Sequence, residues 1–375
     1  MTAEAVHTRA PAGEDELADA LAAASGPVRI RGGATKLAWA PPARPPALEL
    51  STAQLDALVA HNPGDMTAIL EAGMPLARAQ ETFAAEGQML ALDPPDPGGA
   101  TVGGLIAAAD SGPLRHGYGG PRDLVLGMTV ALSDGTLAKS GGTVIKNVAG
   151  YDLAKLFTGS FGALGAIVRV AVRLHPIPPR TATAVGGGAD PDALGRAALA
   201  LSHAPLELQS LDVRWAAGGG AVLARFAGAA PEARAEAAAG TLREEGLTVE
   251  LPAGDDGVWD AQRDGQRSAD GTVLRVSGVQ TGLPALLRAA ERHAATVVGR
   301  AGLAVWWLRL EDRTAEEAAT AVEALRRELD PWPCVLLDAP GEVRAAAGPG
   351  RPRDAGAEIL MGRLKERFDP AGTMA

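Results

Sequence analysis

Apolar positions along the chain recur at two periods, and the changes of period predict the elements. Leu17, Ala20, Leu21 and Ala24 fall on one helical face, so a first helix is expected over 15–24, with acids at its start. A β-prone run over 27–31 follows and ends in Gly32-Gly33. The stretch 48–50 reads as a strand, 55–59 as a short helical turn, and 66–71 as a strand. A helix is expected over 73–86, stopped by Gly87. Further on, 105–109 reads as a helix. The apolar run 124–133 reads as a strand that turns at Asp134-Gly135 into 136–139. A helix over 152–157 and a strand over 167–174, stopped by His175-Pro176, complete this half. The Pro-, Thr- and Gly-rich stretch 178–190 reads as a boundary.

The second half alternates more regularly. Helix 192–202, strands 208–215 and 221–227, helix 231–245 and strand 248–251 form one round. Strand 273–279, helix 284–295, a strand pair around 299–310, helix 315–329 and strand 334–337 form a second. No long internal repeat is visible beyond this alternation. The pattern predicts an antiparallel sheet covered by helices on one face. Trp306-Trp307 on a strand sends one ring to each face, one to the core and one to an interface. A basic amphipathic helix is expected over 354–368.

Between these halves, 92–178 is dense in glycine and poor in charge. Prolines keep 93–99 out of a helix. Gly103-Gly104 opens the helix at 105, where free amides would carry no side chains above them. A polar–glycine turn spans 146–150 and another glycine loop spans 159–165. The earlier Gly32-Gly33 allows successive amides to converge on one anion, although the same pair also suits an ordinary strand-to-loop turn.

Composition narrows the class. A chain of 375 residues suits two or three domains. Apolar residues make up 47% but aromatics only 3%, so Ala, Val and Leu must build the core. A net charge of −10 and a pI near 5.2 exclude nucleic-acid binding through a basic surface. The single cysteine, Cys334, excludes an internal disulfide and a Cys-ligated iron–sulfur cluster, and its apolar surroundings predict a buried thiol. The acidic N-terminus does not read as a secretory signal, and no apolar run reaches the length of a membrane span, so a soluble, cytoplasmic protein is expected.

On these residues the chain resembles the FAD-binding domain of the vanillyl-alcohol oxidase/PCMH flavoprotein superfamily, over about the first half and the C-terminal helix. Ile30-Arg31-Gly32-Gly33-Ala34-Thr35-Lys36 is similar to its pyrophosphate loop. Pro97-Gly98 through Thr101-Val102-Gly103-Gly104 is similar to its isoalloxazine-facing segment, and 147–153 (NVAGYDL) with 159–165 to its third FAD segment. The resemblance implies an α+β fold. It places a two-subdomain PCMH-type FAD-binding domain over 1–178 and an antiparallel-sheet, ferredoxin-like cap with helices on one face over 179–340. A C-terminal segment, 341–375, returns to the FAD domain. The cofactor residues implied are Arg31, Gly32, Gly33, Ala34, Thr35, Lys36, Pro94, Pro97, Gly99, Ala100, Thr101, Gly103, Gly104, Ser111, Gly112, Arg115, Lys146, Asn147, Tyr151, Gly165 and Ile167.

Within the superfamily, GGATVGG, SGPLRHGYGGPRDLVLG, VIKNVAGYDLAKLFTGSFGALG and the terminal LKERFDPAGTM resemble the smaller FAD-binding subunits of bacterial glycolate oxidases. That resemblance implies two partners, a larger FAD-binding subunit and an iron–sulfur subunit, with a small hydroxy acid as candidate substrate. It implies no nucleic acid and no membrane span of the chain's own, with any membrane association made through partner subunits. The catalytic branch usually reads Ser-Glu-Gly-Thr-Leu-Gly where this chain has Ser160-Phe161-Gly162-Ala163-Leu164-Gly165.

Candidate chemistry follows. Arg31 and Lys36 are bases at the phosphate loop, each equally readable as solvated. Arg115 and Lys146 are candidates beside the flavin N1–C2=O locus, which becomes negative on reduction; the plainer reading makes both surface bases. Tyr151 either packs on the cofactor or belongs to the core. No histidine or cysteine lies in 31–37, so noncovalent FAD is expected. The six histidines show no metal-ligand spacing, and the H-x-G-D-G-N-x-H motif of the hydroxy-acid branch is missing, so neither a metal nor a catalytic base is assigned. His116 reads as structural or solvent-facing. Arg214, Arg275 and Arg309 on cap strands are candidates for holding a carboxylate. Two other readings stand beside the subunit: a self-sufficient FAD-dependent oxidoreductase of a small hydroxy acid or alcohol, and a flavin-free scaffold.

Overall fold

The computed structural model describes residues 6–40, 44–95, 98–143, 152–254, 256–348, 350 and 354–375. Two small sheets come first. His7–Arg9, Leu48–Ser51 and Val28–Arg31 form a parallel three-stranded sheet with Leu48–Ser51 at its centre. The helix Glu14–Ala22 lays Leu17 and Leu21 into a core shared with Val28 and Leu50. That core also takes Ala131, Ala166 and Val168 from a second sheet, which is how the two sheets are joined. The second sheet is antiparallel and five-stranded, in the order Leu58–Asn62, Thr67–Glu71, Ala166–Arg173, Val125–Ala131, Leu137–Gly141. Helices Leu76–Ala84 and Val102–Ala108 pack Phe83, Leu105 and Ile106 on Leu70 and Val170 of that sheet. Each such fully buried large side chain contributes about 1.5–3 kcal/mol.

A short two-stranded ladder joins Gln88–Met89 to His175–Pro176, and the second half is built on one eight-stranded antiparallel sheet. Its order is Thr248–Glu250, Thr181–Gly188, Gly219–Ala227, Ser210–Ala216, Thr296–Arg300, Val305–Leu310, Thr272–Ser277, Cys334–Leu336. In chain order the first four strands read fourth-first-third-second and the last four read second-third-first-fourth. Each half is therefore a β-α-β-β-α-β unit, and the halves join edge to edge through their second strands. This is a structural repeat that the sequence does not show. Pro191–His203, Pro231–Glu244, Leu283–Arg292 and Ala315–Glu328 contribute to the large core under the sheet. Trp306 enters that core, while Trp307, on the other face, packs with Trp39 and Ala108 of the first half, as the strand alternation predicts. The α+β architecture matches the expectation.

Several elements differ from expectation. The helical turn over 55–59 is instead an approach to the strand Leu58–Asn62: the helical spacing of Leu55, Leu58 and Val59 yields to pairing with Thr67–Glu71. The supposed boundary 178–190 holds the strand Thr181–Gly188. Its glycines mark close packing rather than a loop, since a Cβ on Gly186 would fall 2.7 Å from Leu242 Cδ2. An unpredicted helix, Asp256–Asp264, lies on the sheet face opposite the other four. It is anchored by the buried Trp259, whose indole N–H donates to Thr183 Oγ1 at 2.9 Å. The short helix Gly341–Ala347 is also unpredicted. The terminal helix Ala355–Phe368 does not bury an apolar face: Ile359, Leu360 and Met361 are all exposed. It is fastened at its end, where Phe368 meets Phe157 edge to face and Lys365 Nζ donates to Asp369 Oδ2 at 2.7 Å. The chain then returns to the first sheet: the Val28 amide donates to the Thr373 carbonyl at 2.7 Å and the Ala375 amide to the Val28 carbonyl at 2.8 Å.

The seam between the two sheet halves carries a fully buried ion pair. Asp212 Oδ2 accepts from Arg300 Nη1 at 2.8 Å and from Gln262 Nε2 at 2.9 Å. Removing one partner leaves an uncompensated buried charge, so Asp212→Ala is expected to cost about 3–5 kcal/mol in urea unfolding. The paired change Asp212→Leu with Arg300→Met is expected to cost much less than either single change. Additive costs in that double-mutant cycle would show that the pair is not coupled.

Candidate cofactor site

Three segments distant in sequence meet at the end of the strand Val28–Arg31. The first is the loop after that strand. Gly32 through Lys36 present five consecutive backbone amides, and among the described residues none of them donates to a protein acceptor. Ala34 lies in the left-handed region at φ 61°, a conformation that costs a non-glycine residue about 1 kcal/mol and alternates the peptide directions of the loop. Unpartnered successive amides in such a loop make a concavity suited to a phosphate.

The second segment, Gly99 to Gly104, lies directly against this loop. A Cβ on Gly33 would fall 1.7 Å from the Gly99 carbonyl oxygen, and one on Gly32 would fall 2.3 Å from Thr101 Oγ1. The Ala100 carbonyl accepts from the Leu76 amide at 2.9 Å. Thr101 caps the helix Val102–Ala108, its Oγ1 accepting from the Gly104 amide at 3.2 Å. The amides of Val102 and Gly103 donate to the carbonyls of Met74 and Ala72. The expected free helix N-terminus is therefore already satisfied within the protein. Gly103 is glycine because a Cβ would come within 2.5 Å of Ala72 Cβ, whereas a Cβ on Gly104 would meet only Thr101 Oγ1, at 3.1 Å.

The third segment is the glycine loop before Ala166–Arg173. Its Gly159 and Phe161 amides donate to the carbonyls of Ile106 and Ala107, which tie it to the end of the same helix. Lys365 Nζ donates to the Ala163 carbonyl at 2.8 Å and holds the loop from behind. Together the three segments wall a narrow slot lined by Ile30, Gly32, Gly104, Phe161, Gly162 and Ile167, with Gly165 also at its wall. A slot of bare backbone and aliphatic side chains beside a five-amide phosphate nest fits a planar ring system joined to a diphosphate.

Arg31, Lys36 and Arg115, among the charged residues predicted for the site, each have a charged neighbour of their own. Arg31 Nη1 is held outward by Glu49 Oε1 at 3.0 Å, a carboxylate it shares with Arg29. These two guanidinium groups hold the Glu49 carboxyl below its usual range although burial opposes them. Lys36 is neither solvated nor free: its Nζ is buried 3.3 Å from Asp110 Oδ2. Arg115 stands at the junction with the large sheet, where burial lowers its pKa and Asp123 opposes the shift. Pro94 and Ser111 are buried, and Gly112 is glycine because a Cβ would fall 1.7 Å from the Asp93 carbonyl oxygen. His116 is not solvent-facing; it packs against Gly302, and burial keeps its imidazole pKa low. Of the cap arginines, Arg309 is occupied by Glu311, with Nη2 to Oε1 at 2.6 Å. Pro97, Lys146, Asn147 and Tyr151 lie outside the described residues.

The junction adds residues that the sequence did not single out. Trp39, Arg267 and Asp338 form a closed network beside Thr35, and Asp110 pairs with Lys36. Asp93 is enclosed there, its Oδ1 accepting from the Leu114 amide at 3.0 Å and its Oδ2 3.7 Å from Arg263 Nη1. Burial pushes its carboxyl up to about 7 against the pull of Arg300 and Arg263. No sequence motif announces these positions, because their partners are remote in the chain.

Two outcomes are expected. In Gly33→Ala the new Cβ meets backbone that cannot yield, so the two segments must part and flavin retained per protein should fall at least tenfold by absorbance, with the secondary structure intact by circular dichroism. For Asp93 the sign follows from proton binding. The unfolded carboxyl ionises near 4, while the folded one keeps its proton to about 7, so this group's contribution to stability falls as pH rises between those values. Asp93→Asn should therefore gain stability relative to the parent chain as pH rises from about 4 to about 7, and level off above. A difference independent of pH in thermal melts would contradict this.

Residues 7–141 match the family described as FAD binding domain. Over 122 residues the chain is 38% identical to glycolate oxidase subunit GlcE of Escherichia coli (strain K12), covering 32% of this chain and 35% of that protein. It is 36% identical over 152 residues to a D-lactate dehydrogenase of Archaeoglobus fulgidus, covering 40% of this chain and 33% of that one. Over 88 residues it is 43% identical to glycolate oxidase subunit GlcD of Bacillus subtilis (strain 168), covering 23% of this chain and 19% of that one. The matched stretch thus spans about a third or less of these relatives' own length. Among solved structures, an alkyldihydroxyacetonephosphate synthase superposes with a TM-score of 0.72 at 14% identity, over 98% of this chain and 75% of that one. Residues 7–141 thus carry an FAD binding domain, and nearly the whole chain shares its fold with that synthase.

Proposed function

We propose that this chain is the FAD-binding subunit of a glycolate oxidase-like, 2-hydroxy acid dehydrogenase complex, in which its flavin accepts or relays electrons. The observation that carries the cofactor part is the row of five unpartnered amides, Gly32 to Lys36, beside the glycine-walled slot. In this reading Gly32, Gly33, Ala34, Thr35 and Lys36 bind the diphosphate through their backbone. Gly99, Ala100 and Thr101 hold that loop from below, and Gly104, Gly165 and Ile167 face the slot. The Thr101 hydroxyl keeps the helix start closed so that the slot wall is backbone rather than solvent. When bound, FAD supplies a two-electron acceptor. The loop offers no histidine or cysteine, so the cofactor is held noncovalently. The complex part of the proposal is supported by the similarity to subunits GlcE and GlcD. The missing H-x-G-D-G-N-x-H motif also supports it, because substrate oxidation is then a task for a larger FAD-binding subunit. An iron–sulfur subunit would be the second partner. No helix among the described residues is long and apolar enough to cross a membrane. The proposed location is the cytoplasm, with any membrane contact made through partners.

The purified chain is expected to be yellow, to release all its FAD on acid precipitation, and to stay oxidised when given glycolate or D-lactate alone. Affinity purification of the chain from its native cell extract should bring down a larger flavoprotein and a cysteine-rich subunit. Bleaching of the flavin by either acid in the isolated chain would replace this reading with a self-sufficient dehydrogenase. A colourless protein that regains no flavin absorbance with added FAD would leave only a scaffold.

A further inference from the structure

The phosphate loop is braced by a residue from the other half of the molecule. Arg267 follows the helix Asp256–Asp264, and Asp338 grips its guanidinium side-on, with Nε to Oδ2 at 2.6 Å and Nη2 to Oδ1 at 3.1 Å. The same Nη2 donates to the carbonyl of Thr35 at 2.9 Å. Its Cζ lies over the Trp39 ring, 4.9 Å from the centroid. The Trp39 indole N–H donates to Asp338 Oδ1 at 2.8 Å, which closes the network. Asp338 is itself tied to the large sheet through its carbonyl, which accepts from the Val273 amide at 2.8 Å. A bidentate guanidinium–carboxylate pair stacked on an aromatic ring has little rotational freedom, so Arg267 acts as a fixed donor.

In a trans peptide the carbonyl and the following amide point in opposite directions. Holding the Thr35 carbonyl toward Arg267 therefore turns the Lys36 amide away from Arg267 and leaves it with the other unpartnered amides. A flip of this one peptide would replace a donor by a carbonyl oxygen, which repels an anion. The loop needs such support, because Ala34 beside it is in the left-handed region and Gly32 and Gly33 carry no side chains to fix it. The first half supplies its own brace at Lys36, whose Nζ reaches Thr35 Oγ1 at 3.3 Å, but that contact leaves the carbonyl untouched.

We infer that Arg267 is a positioning residue for the diphosphate of the cofactor: it fixes the Thr35–Lys36 peptide with its amide available to the anion, and so makes the large-sheet domain part of the cofactor site. The inference rests on the reading of Gly32 to Lys36 as the FAD diphosphate loop. By linkage, FAD then tightens the contact between the two halves as much as that contact tightens FAD.

Full-length Arg267→Met and Arg267→Lys, stripped of flavin, would be titrated with FAD and with riboflavin, which has no phosphate, by flavin fluorescence. Circular dichroism would check folding. In Arg267→Met the FAD dissociation constant should rise about tenfold, the loss of one charged hydrogen bond, while that for riboflavin stays unchanged. Arg267→Lys should recover part of the loss, since an ammonium can reach one acceptor but not bridge both. Equal weakening of FAD and riboflavin, or no change in either, overturns the inference. If Arg267→Met does not fold, Asp338→Asn, which releases the guanidinium, should show the same FAD-specific loss, and its absence there overturns the inference equally. Failure of the unaltered chain to bind FAD at all would instead remove the cofactor reading on which this rests.

Discussion

Backbone touches backbone where Gly33 meets Gly99, and the rest of the cofactor site depends on that contact. A side-chain carbon at Gly33 would overlap the Gly99 carbonyl, so the loop and the second segment are locked at van der Waals distance with nothing between them. The same device recurs at Gly103 against Ala72 and at Gly112 against Asp93. Each places a segment within reach of the next without a side chain as spacer. The amides of Gly32 to Lys36 stay unpartnered because the loop is fixed through its α-carbons and through the Thr35 and Lys36 carbonyls, not through its amides. The donors remain for an anion.

The junction between the halves is lined by paired charges. Lys36 with Asp110 on one side and Arg267 with Asp338 on the other are buried or nearly so, and Trp39 and Trp307 supply the apolar surface around them. Pairs of this kind add little net stability, since desolvation offsets most of the attraction. They do penalise any arrangement in which a partner is missing. Each of these pairs lies within one half; the contacts that cross include the Trp39 indole to Asp338, Arg267 to the Thr35 carbonyl and Arg263 near Asp93. They register the large sheet against the loop after the first strand.

The sequence disclosed the elements whose side chains alternate or repeat, and the loops whose glycines cluster. It singled out the loop after the first strand for the freedom of Gly32-Gly33, whereas the structure uses their bareness for close packing against Thr101 and Gly99. A glycine does not say which neighbour needs the space: Gly103 stands against Ala72 and also lines the slot. The stretch 178–190 reads as a boundary but holds a strand, in which Gly186 sits under Leu242 and Leu247 and Gly188 under Leu247. Arg31 and Lys36 looked available because their partners, Glu49 and Asp110, are remote in sequence. Arg267 is 232 positions from Thr35, and no local pattern reports a bond of that span. The duplicated sheet was hidden for a further reason: topology repeats without any repeat of residues.

The glycine loop at 159–165 bears on what the site does with its ring-binding wall. Phe161 is a non-glycine residue at φ 53°, and its strain is held by the hydrogen bond from its amide to the Ala107 carbonyl. Its side chain lines the slot and is also partly exposed to solvent. The catalytic branch, from which the chain departs here, usually carries Glu at this point. An acid there offers a charge and an acceptor, whereas a phenyl ring offers only apolar surface. Next to it, Gly162 and Ala163 add no titratable group. Among the described residues, the slot lining offers a planar ring backbone and apolar surface, without a carboxylate. Asp93 and Asp110 are enclosed at the junction with their own partners. Such a lining suits the role proposed for the chain, holding a flavin as one subunit of a larger assembly.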